Sequence, residues 1–346
     1  MLLASVEVIP YALPFREPYA TARGVLEKRE MVLLRVRDED GVVGLGEAVP
    51  LSLRGGVTLT QVVRELEGWA EGQETEGLSA PARCAVATAQ MDLLGRRAGG
   101  DGGAKDTAVA CNATLVAGAP ADVAADAERW AQDGFTTFKL KLGTETVSTR
   151  DIGGLRRSRD REQVRAVREA LGPEVRIRVD ANEAWDLVTA KRTLAELEPY
   201  GIELAEQPVA GLEAMAELAE ATSIPLAADE SVASLEEAEE AAALGACTYT
   251  GIKLSKVGGP GAALTIANVL PAYITSALDG PVGIAAAARV AQTVGGELAH
   301  GLATQRLFAS TTAAVECELR NGMLHLPPGP GLGVEIDEDA LQAHRL

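Results

Sequence analysis

The chain opens on alternating apolar and polar positions. "SVEVIPYAL" and "REMVLLRVRDEDGVVGLGEA" read as half-buried strands, the second broken by the turn signal Asp40-Gly41. Helical spacing follows in "TLTQVVRELEGWAE", from Thr58, and in "APARCAVATAQMDLLGRRAG", from Ala80, which stops at glycines. Strands followed by helices predict an α+β unit, and "GGDGGAKD", Gly99 to Asp106, predicts a linker or loop. From Val109 the pattern becomes regular. Short apolar strands ("TTFKLKL", "VRIRVDA", "IELAEQPV", "PLAADES", "YTGIKLS", "AYITSAL") alternate with helical stretches such as "REQVRAVREALG" and "SLEEAEEAAALG". Repeated strand–helix–strand units mean a parallel sheet covered by helices. The alternation alone fits a closed barrel and an open doubly wound sheet equally.

Polar residues interrupt this pattern at one recurring place, the C-terminal end of a strand. Lys139 and Lys141 in "TTFKLKLG" are two residues apart, so a strand points both to the same face. Asp180, Glu206, Asp229 and Lys253 follow in "RIRVDAN", "ELAEQP", "LAADES" and "GIKLSK", each one βα unit beyond the last. A single Asp at a strand end is most often a helix cap or turn former. Glu206-Gln207-Pro208 can be an extended pre-proline turn, and Lys253 and Lys256 can be solvated loop charges. Taken together the residues favour another reading. In a (β/α)8 barrel, functional groups gather at the C-terminal ends of successive strands. Three carboxylates sharing one cavity repel unless a divalent cation sits among them.

Composition narrows the chemistry. The chain has 346 residues, 47% hydrophobic and 24% charged, with a net charge of -18. That balance lacks the basic footprint nucleic acid requires. No apolar run approaches the roughly 20 residues that span a bilayer, and "MLLASVEVIPYALPF" lacks the charged start of a signal peptide. The widely spaced Cys84, Cys111, Cys247 and Cys317 form no CxxC and read as reduced thiols of a cytoplasmic protein. His300, His325 and His344 have no ligand spacing, so zinc is disfavoured and an oxygen-bound metal such as magnesium is favoured.

The set "KLK", "RVDANEAW", "EQP", "ADES" and "IKLSKVGG", in this order and spacing, resembles the enolase superfamily, specifically its muconate lactonizing enzyme subgroup. The resemblance covers nearly the whole chain. It implies an α/β fold, a modified (β/α)8 TIM-type barrel with an α+β capping domain. The capping domain would span 1–108, the barrel 109–317, and a tail, 318–346, would return to the cap. It also implies Mg2+ (with Mn2+ able to substitute) on Asp180, Glu206 and Asp229, and reactive lysines at Lys141 and Lys253. The shared step is removal of a proton next to a carboxylate through an enediolate. The base must then be neutral, although a free lysine titrates near 10.4. The neighbouring Lys139 and the cation are expected to disfavour the protonated form of Lys141.

Within the subgroup, "ITSALDGPVGIAAAARVAQ" followed by "AHGLATQRLF" looks most like o-succinylbenzoate synthases, as do Arg178 and Asn182 around Asp180. That implies syn-dehydration of 2-succinyl-6-hydroxy-2,4-cyclohexadiene-1-carboxylate in menaquinone biosynthesis. Thr275, Ser276 and the Gly301 backbone would lie near the succinyl group, although Thr275 and Ser276 can equally serve only strand-end hydrogen bonds. "PFREPYATARG", Pro14 to Gly24, would be a lid loop carrying Arg16, Tyr19 and Arg23. Two features depart from the pattern: the long connection Thr144 to Asp160, and "SALDG" where an acidic "SALE" is more usual. The alternatives are N-succinylamino acid racemisation, muconate-type cycloisomerisation and dipeptide epimerisation. Against the last, "HGLATQRLFAS" lacks the acidic pair that grips a dipeptide ammonium. A non-enzymatic metal-binding barrel would have no use for two opposed lysines. The expected partner is a small-molecule carboxylate, and the sequence is compatible with a homo-oligomer.

Overall fold

The computed structural model describes residues 3–21, 24–50, 56–99, 108–143 and 154–346. The N-terminal part is a β+α cap. Strands β1 (Leu3–Thr21), β2 (Gly24–Asp38) and β3 (Val43–Ala48) form an antiparallel sheet in that order. Helices α1 (Leu59–Ala70) and α2 (Ala80–Ala98) follow. Thr58 caps α1 by accepting the Gln61 amide, and α2 stops at left-handed Gly99. The glycines of "GLGEA" serve close approach. A Cβ on Gly46 would lie 1.9 Å from the Ala85 carbonyl oxygen, because α2 rests directly on β3.

The segment expected as a lid loop is instead mostly strand. β1 continues to Thr21, pairing Tyr19 with Leu26 and Thr21 with Gly24 after a register shift between Pro14 and Tyr19. β1 lies at the edge of its sheet, where prolines are tolerated because a missing N–H need not break a ladder. Arg23 lies outside the described residues, as do the expected linker beyond Gly99 and most of the long connection after Gly143.

The remaining strands and helices alternate. In chain order they are β4 (Ala108–Ala110), β5 (Ala113–Leu115), α3 (Pro120–Gln132), β6 (Thr137–Lys141), α4 (Gly154–Leu171), β7 (Arg176–Asp180), α5 (Leu187–Leu197), β8 (Ile202–Glu206), α6 (Leu212–Ala219), β9 (Leu226–Ala228), α7 (Leu235–Leu244), β10 (Tyr249–Ile252), α8 (Leu254–Val257), α9 (Pro260–Ala267), β11 (Ala272–Ile274) and α10 (Pro281–Val294). Strands β5 to β11 form one parallel sheet in sequential order. The sheet curls into a barrel whose join is narrow. His300 bridges Cys111 and Gly301 bridges Thr275, both in parallel sense. The eighth stave is therefore reduced to these bridges, and a 3-10 turn, Ala303–Leu307, takes over at once.

Beyond the barrel come β12 (Ala313–Val315), β13 (Glu318–Arg320), β14 (Met323–His325), β15 (Glu335–Ile336) and α11 (Glu338–His344). β14 pairs with both β13 and β4. The Leu332 amide donates to Asp92 of α2 at 2.7 Å, and the Leu346 amide to the Pro10 carbonyl of β1 at 3.0 Å. One apolar core runs through cap and barrel together, joining Tyr11, Leu13 and Leu33 to Val282 and Ile284. A second core, including Val32, Leu66 and Ala85, lies within the cap. Among the described residues no helix is long and apolar enough to cross a membrane.

Candidate active site

Strand β6 shows why a buried strand carries two lysines. Its alternation puts Phe138 and Leu140 in the apolar core and turns Lys139 and Lys141 toward the acids of the neighbouring strands. The register sets Lys141 beside Asp180, and Asp180 beside Glu206. Lys139 Nζ donates to Asp180 Oδ2 at 3.2 Å and to Glu206 Oε1 and Oε2 at 3.0 and 3.1 Å. Lys141 Nζ donates to Asp180 Oδ2 and, at 2.8 Å, to Asn182 Oδ1. The two ammonium groups thus do not face one another unscreened, because Asp180 Oδ2 lies between them. Burial alone would lower the pKa of Lys139, but attraction to Glu206 and Asp180 outweighs it and holds the group charged.

Across the sheet a second cluster repeats the scheme. Lys253 Nζ donates to Asp229 Oδ2, while Lys256 Nζ donates to the Asp229 carbonyl oxygen and, at 3.0 Å, to Oδ1. β6 and β10 are four positions apart in the sheet order. In an eight-membered ring that places Lys141 and Lys253 on opposite sides of the mouth.

Asp180, Glu206 and Asp229 are all fully buried, where an unpaired carboxylate is costly. Asp180 is held well below the usual carboxylate range: burial opposes this, and Lys141 and Lys139 overcome it. Glu206 is pushed up, first by burial and then by the Asp180 charge. Among the described residues no three His, Cys, Asp or Glu side chains are gathered closely enough to hold a metal ion as they stand. The donor chemistry nevertheless suits a hard divalent cation. The three groups are oxygen donors on consecutive strand ends, and ammonium groups now supply the positive charge they require.

The other candidate residues are placed differently. Arg178 is fully buried one layer deeper, bonded to Glu203 at 2.5 Å and the Ala299 carbonyl at 2.6 Å, with its guanidinium over the Tyr273 ring. Asn182 joins Lys141 to Glu230. The Ser276 hydroxyl is engaged with Asp279 at 2.7 Å, so it closes a turn. The Gly301 amide and carbonyl are both used by the barrel join, with Ile274 and Ser276. Thr275 Oγ1 is different: it is buried with no hydrogen-bond partner, and so is Asn112 Oδ1. A Cβ on Gly301 would meet both side chains, at 3.2 Å from Thr275 Cβ and 3.6 Å from Asn112 Oδ1. Arg16 donates to the Arg306 carbonyl at 3.1 Å, and Tyr19 stacks on Phe15, which stacks in turn on Phe308.

Several residues of the site were not singled out from sequence. Tyr273 donates to Glu206 at 2.5 Å, and stepping back two residues from Thr275 along the strand would have found it. Gln207, with φ of 37°, holds the next strand by accepting the Asp229 and Ser231 amides at 2.9 and 3.1 Å. Asn182 and Glu183 also take positive φ at the neighbouring strand end. Strained backbone of this kind collects where surrounding bonds fix it at functional sites. His300 is neutral: burial pulls it down to about 4, and its Nδ1 accepts the Ile274 amide.

Two family models match the chain. One, described as enolase C-terminal domain-like, matches residues 122–340, and another, the mandelate racemase / muconate lactonizing enzyme N-terminal domain, matches 4–100. The o-succinylbenzoate synthase of Thermobifida fusca is 34% identical, the match covering 77% of this chain and 82% of that one. Muconate lactonizing enzyme from Pseudomonas fluorescens, solved with muconolactone, superposes with a TM-score of 0.88 at 27% identity over 99% of both chains. The dipeptide epimerase of Cytophaga hutchinsonii, solved with Mg and D-Ala-L-Val, gives 0.88 at 27% identity over 99% of this chain and 98% of that one.

Proposed function

This chain belongs to the enolase superfamily, as an enzyme of its mandelate racemase / muconate lactonizing enzyme branch, and from that premise we propose that it is a magnesium-dependent syn-dehydratase of the o-succinylbenzoate synthase kind. The proposed substrate is 2-succinyl-6-hydroxy-2,4-cyclohexadiene-1-carboxylate, and the proposed setting is menaquinone biosynthesis. One observation carries the chemistry. Lys141 and Lys253 enter the barrel mouth from opposite sides, each ending on a buried carboxylate of a neighbouring strand end.

Asp180, Glu206 and Asp229 would hold the cation. When bound, it supplies the positive charge that stabilises developing negative charge on a substrate carboxylate, worth several kcal/mol. The remaining steps belong to side chains of the chain. Lys141 takes the proton from the carbon next to the carboxylate and delivers it to the departing hydroxide, which leaves as water. Asn182, bonded to Lys141 and Glu230, fixes the direction of that amine. Lys253 faces the charge that develops on the other side. The unpartnered Thr275 Oγ1 and Asn112 Oδ1 beside Gly301 offer a place for a polar group distant from the reacting carbon.

The sequence similarity to the Thermobifida fusca enzyme supports dehydration. Against a dipeptide substrate, the stretch His300 to Ser310 contains no acid to meet an ammonium group. The opposed lysines favour a second reading, racemisation of an N-succinylamino acid, because two bases on opposite faces can remove and return a proton from either side. Incubation with Mg2+ and each substrate in deuterated water separates them. Dehydration appears as aromatic absorbance, and racemisation as deuterium at the α-carbon without net product. Dehydration no faster than that of Lys141→Ala would remove the first reading.

A further inference from the structure

We propose that Glu47 of the cap is a positioning residue for the barrel, holding the turn after β11 that places Thr275. Glu47 sits on β3 and is buried, and its side chain bonds to residues remote in sequence. Its Oε1 accepts the Gly280 amide at 2.7 Å, and the carboxylate also accepts the Gly283 amide. Its Oε2 accepts the Tyr11 hydroxyl of β1 at 2.9 Å. A side chain of the cap thus serves as the capping acceptor of a barrel helix, α10, whose first amides lack partners within the helix.

The glycines of "GPVG" are explained by this contact. Neither has positive φ, so backbone conformation does not require glycine at either position. Space does. A Cβ on Gly283 would lie 2.6 Å from Glu47 Oε1, and one on Gly280 would lie 2.3 Å from the Tyr11 oxygen and 2.8 Å from Glu47 Oε2. The helix offers a cradle the size of one carboxylate, and Glu47 fills it.

Two more contacts fix the same turn. Arg29 of β2 donates to the Ala277 carbonyl at 3.0 Å. Asp279 accepts from the Ser276 hydroxyl and the Ala277 amide, both at 2.7 Å. Leu278, between them, takes a φ of 66°, a conformation a leucine holds only when its surroundings impose it. Two strands of the cap, β2 and β3, therefore clamp the stretch Ser276–Gly280, and Tyr11 of β1 braces Glu47 from behind. Thr275, whose hydroxyl is unpartnered toward Gly301, is the residue immediately before it. Burial, with Asp279 nearby, pushes the Glu47 carboxyl up to about 7, which agrees with a tightly enclosed group.

The test uses the whole protein with two readouts. The first is amide hydrogen exchange of the Ser276–Gly283 stretch, which needs no substrate. In Glu47→Ala its exchange rises at least tenfold while that of β6 to β8 stays unchanged. Glu47→Gln keeps an oxygen for Gly280 and restores protection, and Gly283→Ala, which invades the cradle without altering any site residue, reproduces the loss. The second readout, which rests on the function proposed above, is a split in kinetics: KM rises at least tenfold with kcat within threefold. Unchanged exchange in Glu47→Ala, a lowered Tm with unchanged KM, or failure of Glu47→Gln to restore protection overturns the proposal. If the unsubstituted protein turns over neither candidate substrate, the proposed function falls and the exchange measurement still decides the role of Glu47. If Glu47→Ala does not fold, the Gln and Gly283→Ala variants decide it by the same criteria.

Discussion

Lys253 and Lys256 end on the same carboxylate: one ammonium takes Asp229 Oδ2 and the other Oδ1. Only Lys253 begins at the strand end that faces β6 across the ring. Lys256 lies on α8 and also holds the Asp229 main chain. The two lysines should therefore separate in kinetics. Lys253→Ala is expected to lower kcat about 10²–10³-fold, the usual loss when a group stabilising developing charge is removed. Lys141→Ala should lose about 10²–10⁴-fold, as for a general base. Lys256→Ala is expected to shift Tm more than kcat. Steady-state kinetics and melting curves on the three variants check this.

A divalent cation would replace ammonium groups as partner of the three buried acids. Mg2+ at 100-fold above its Kd should stabilise the folded chain by about 2.7 kcal/mol. Asp229→Asn should abolish most of that gain, and chelation should abolish turnover. Melting curves with and without Mg2+ measure it directly, without knowledge of the substrate.

Lys139 is the counter-charge for two buried carboxylates. Lys139→Met leaves Asp180 and Glu206 with less positive charge around them, and breaking a buried ionic cluster typically costs about 3–5 kcal/mol. Urea denaturation without added metal should show this loss. A loss within 1 kcal/mol would mean that Lys141 and Tyr273 suffice.

Stability should also depend on pH through Glu47. Its folded pKa is raised from 4.5 to about 7, first by burial and then by Asp279; Tyr11 and the amides of Gly280 and Gly283 oppose the rise. Arg29 faces the same cluster, and Asp279 is itself raised. A carboxyl with a raised folded pKa binds more protons folded than unfolded, so stability falls as pH climbs from about 4.5 to about 7. The span of this shift is on the order of 3–3.5 kcal/mol. Denaturation at pH 5 and pH 7.5 should show the decline in the unsubstituted protein and a shallower one in Glu47→Gln.

Gly46→Ala should be among the most damaging small changes in the cap. The new methyl would sit 1.9 Å from a backbone oxygen, which cannot swing aside as a side chain can. Overpacking of this kind costs about 1–3 kcal/mol or more, and a fall in Tm without a change in kcat at low temperature is the expected result.

The acids and lysines at strand ends were legible in the sequence because each stands at a fixed step in a repeating βα rhythm. Asp180, Glu206 and Asp229 each interrupt an apolar run at the same relative place, which no local cap explains for all three. Tyr273 was legible only through strand alternation from Thr275, and Glu47 and Asn112 gave no such signal. The importance of Glu47 comes from partners supplied by remote segments, as Gly280 is, and no local pattern encodes that meeting. The β1 extension carries turn-forming residues such as Pro14 and Pro18 yet runs as strand, because an edge strand tolerates proline. The eighth stave could not be recognised by alternation, since it is too short to alternate.

That short stave bears on how the protein comes apart. Seven strands are zipped to their neighbours through runs of paired residues, whereas the ring is shut by single contacts at His300 and Gly301. A hoop yields first at its thinnest weld, so transient opening should start there and let solvent in beside Thr275 before any other wall parts.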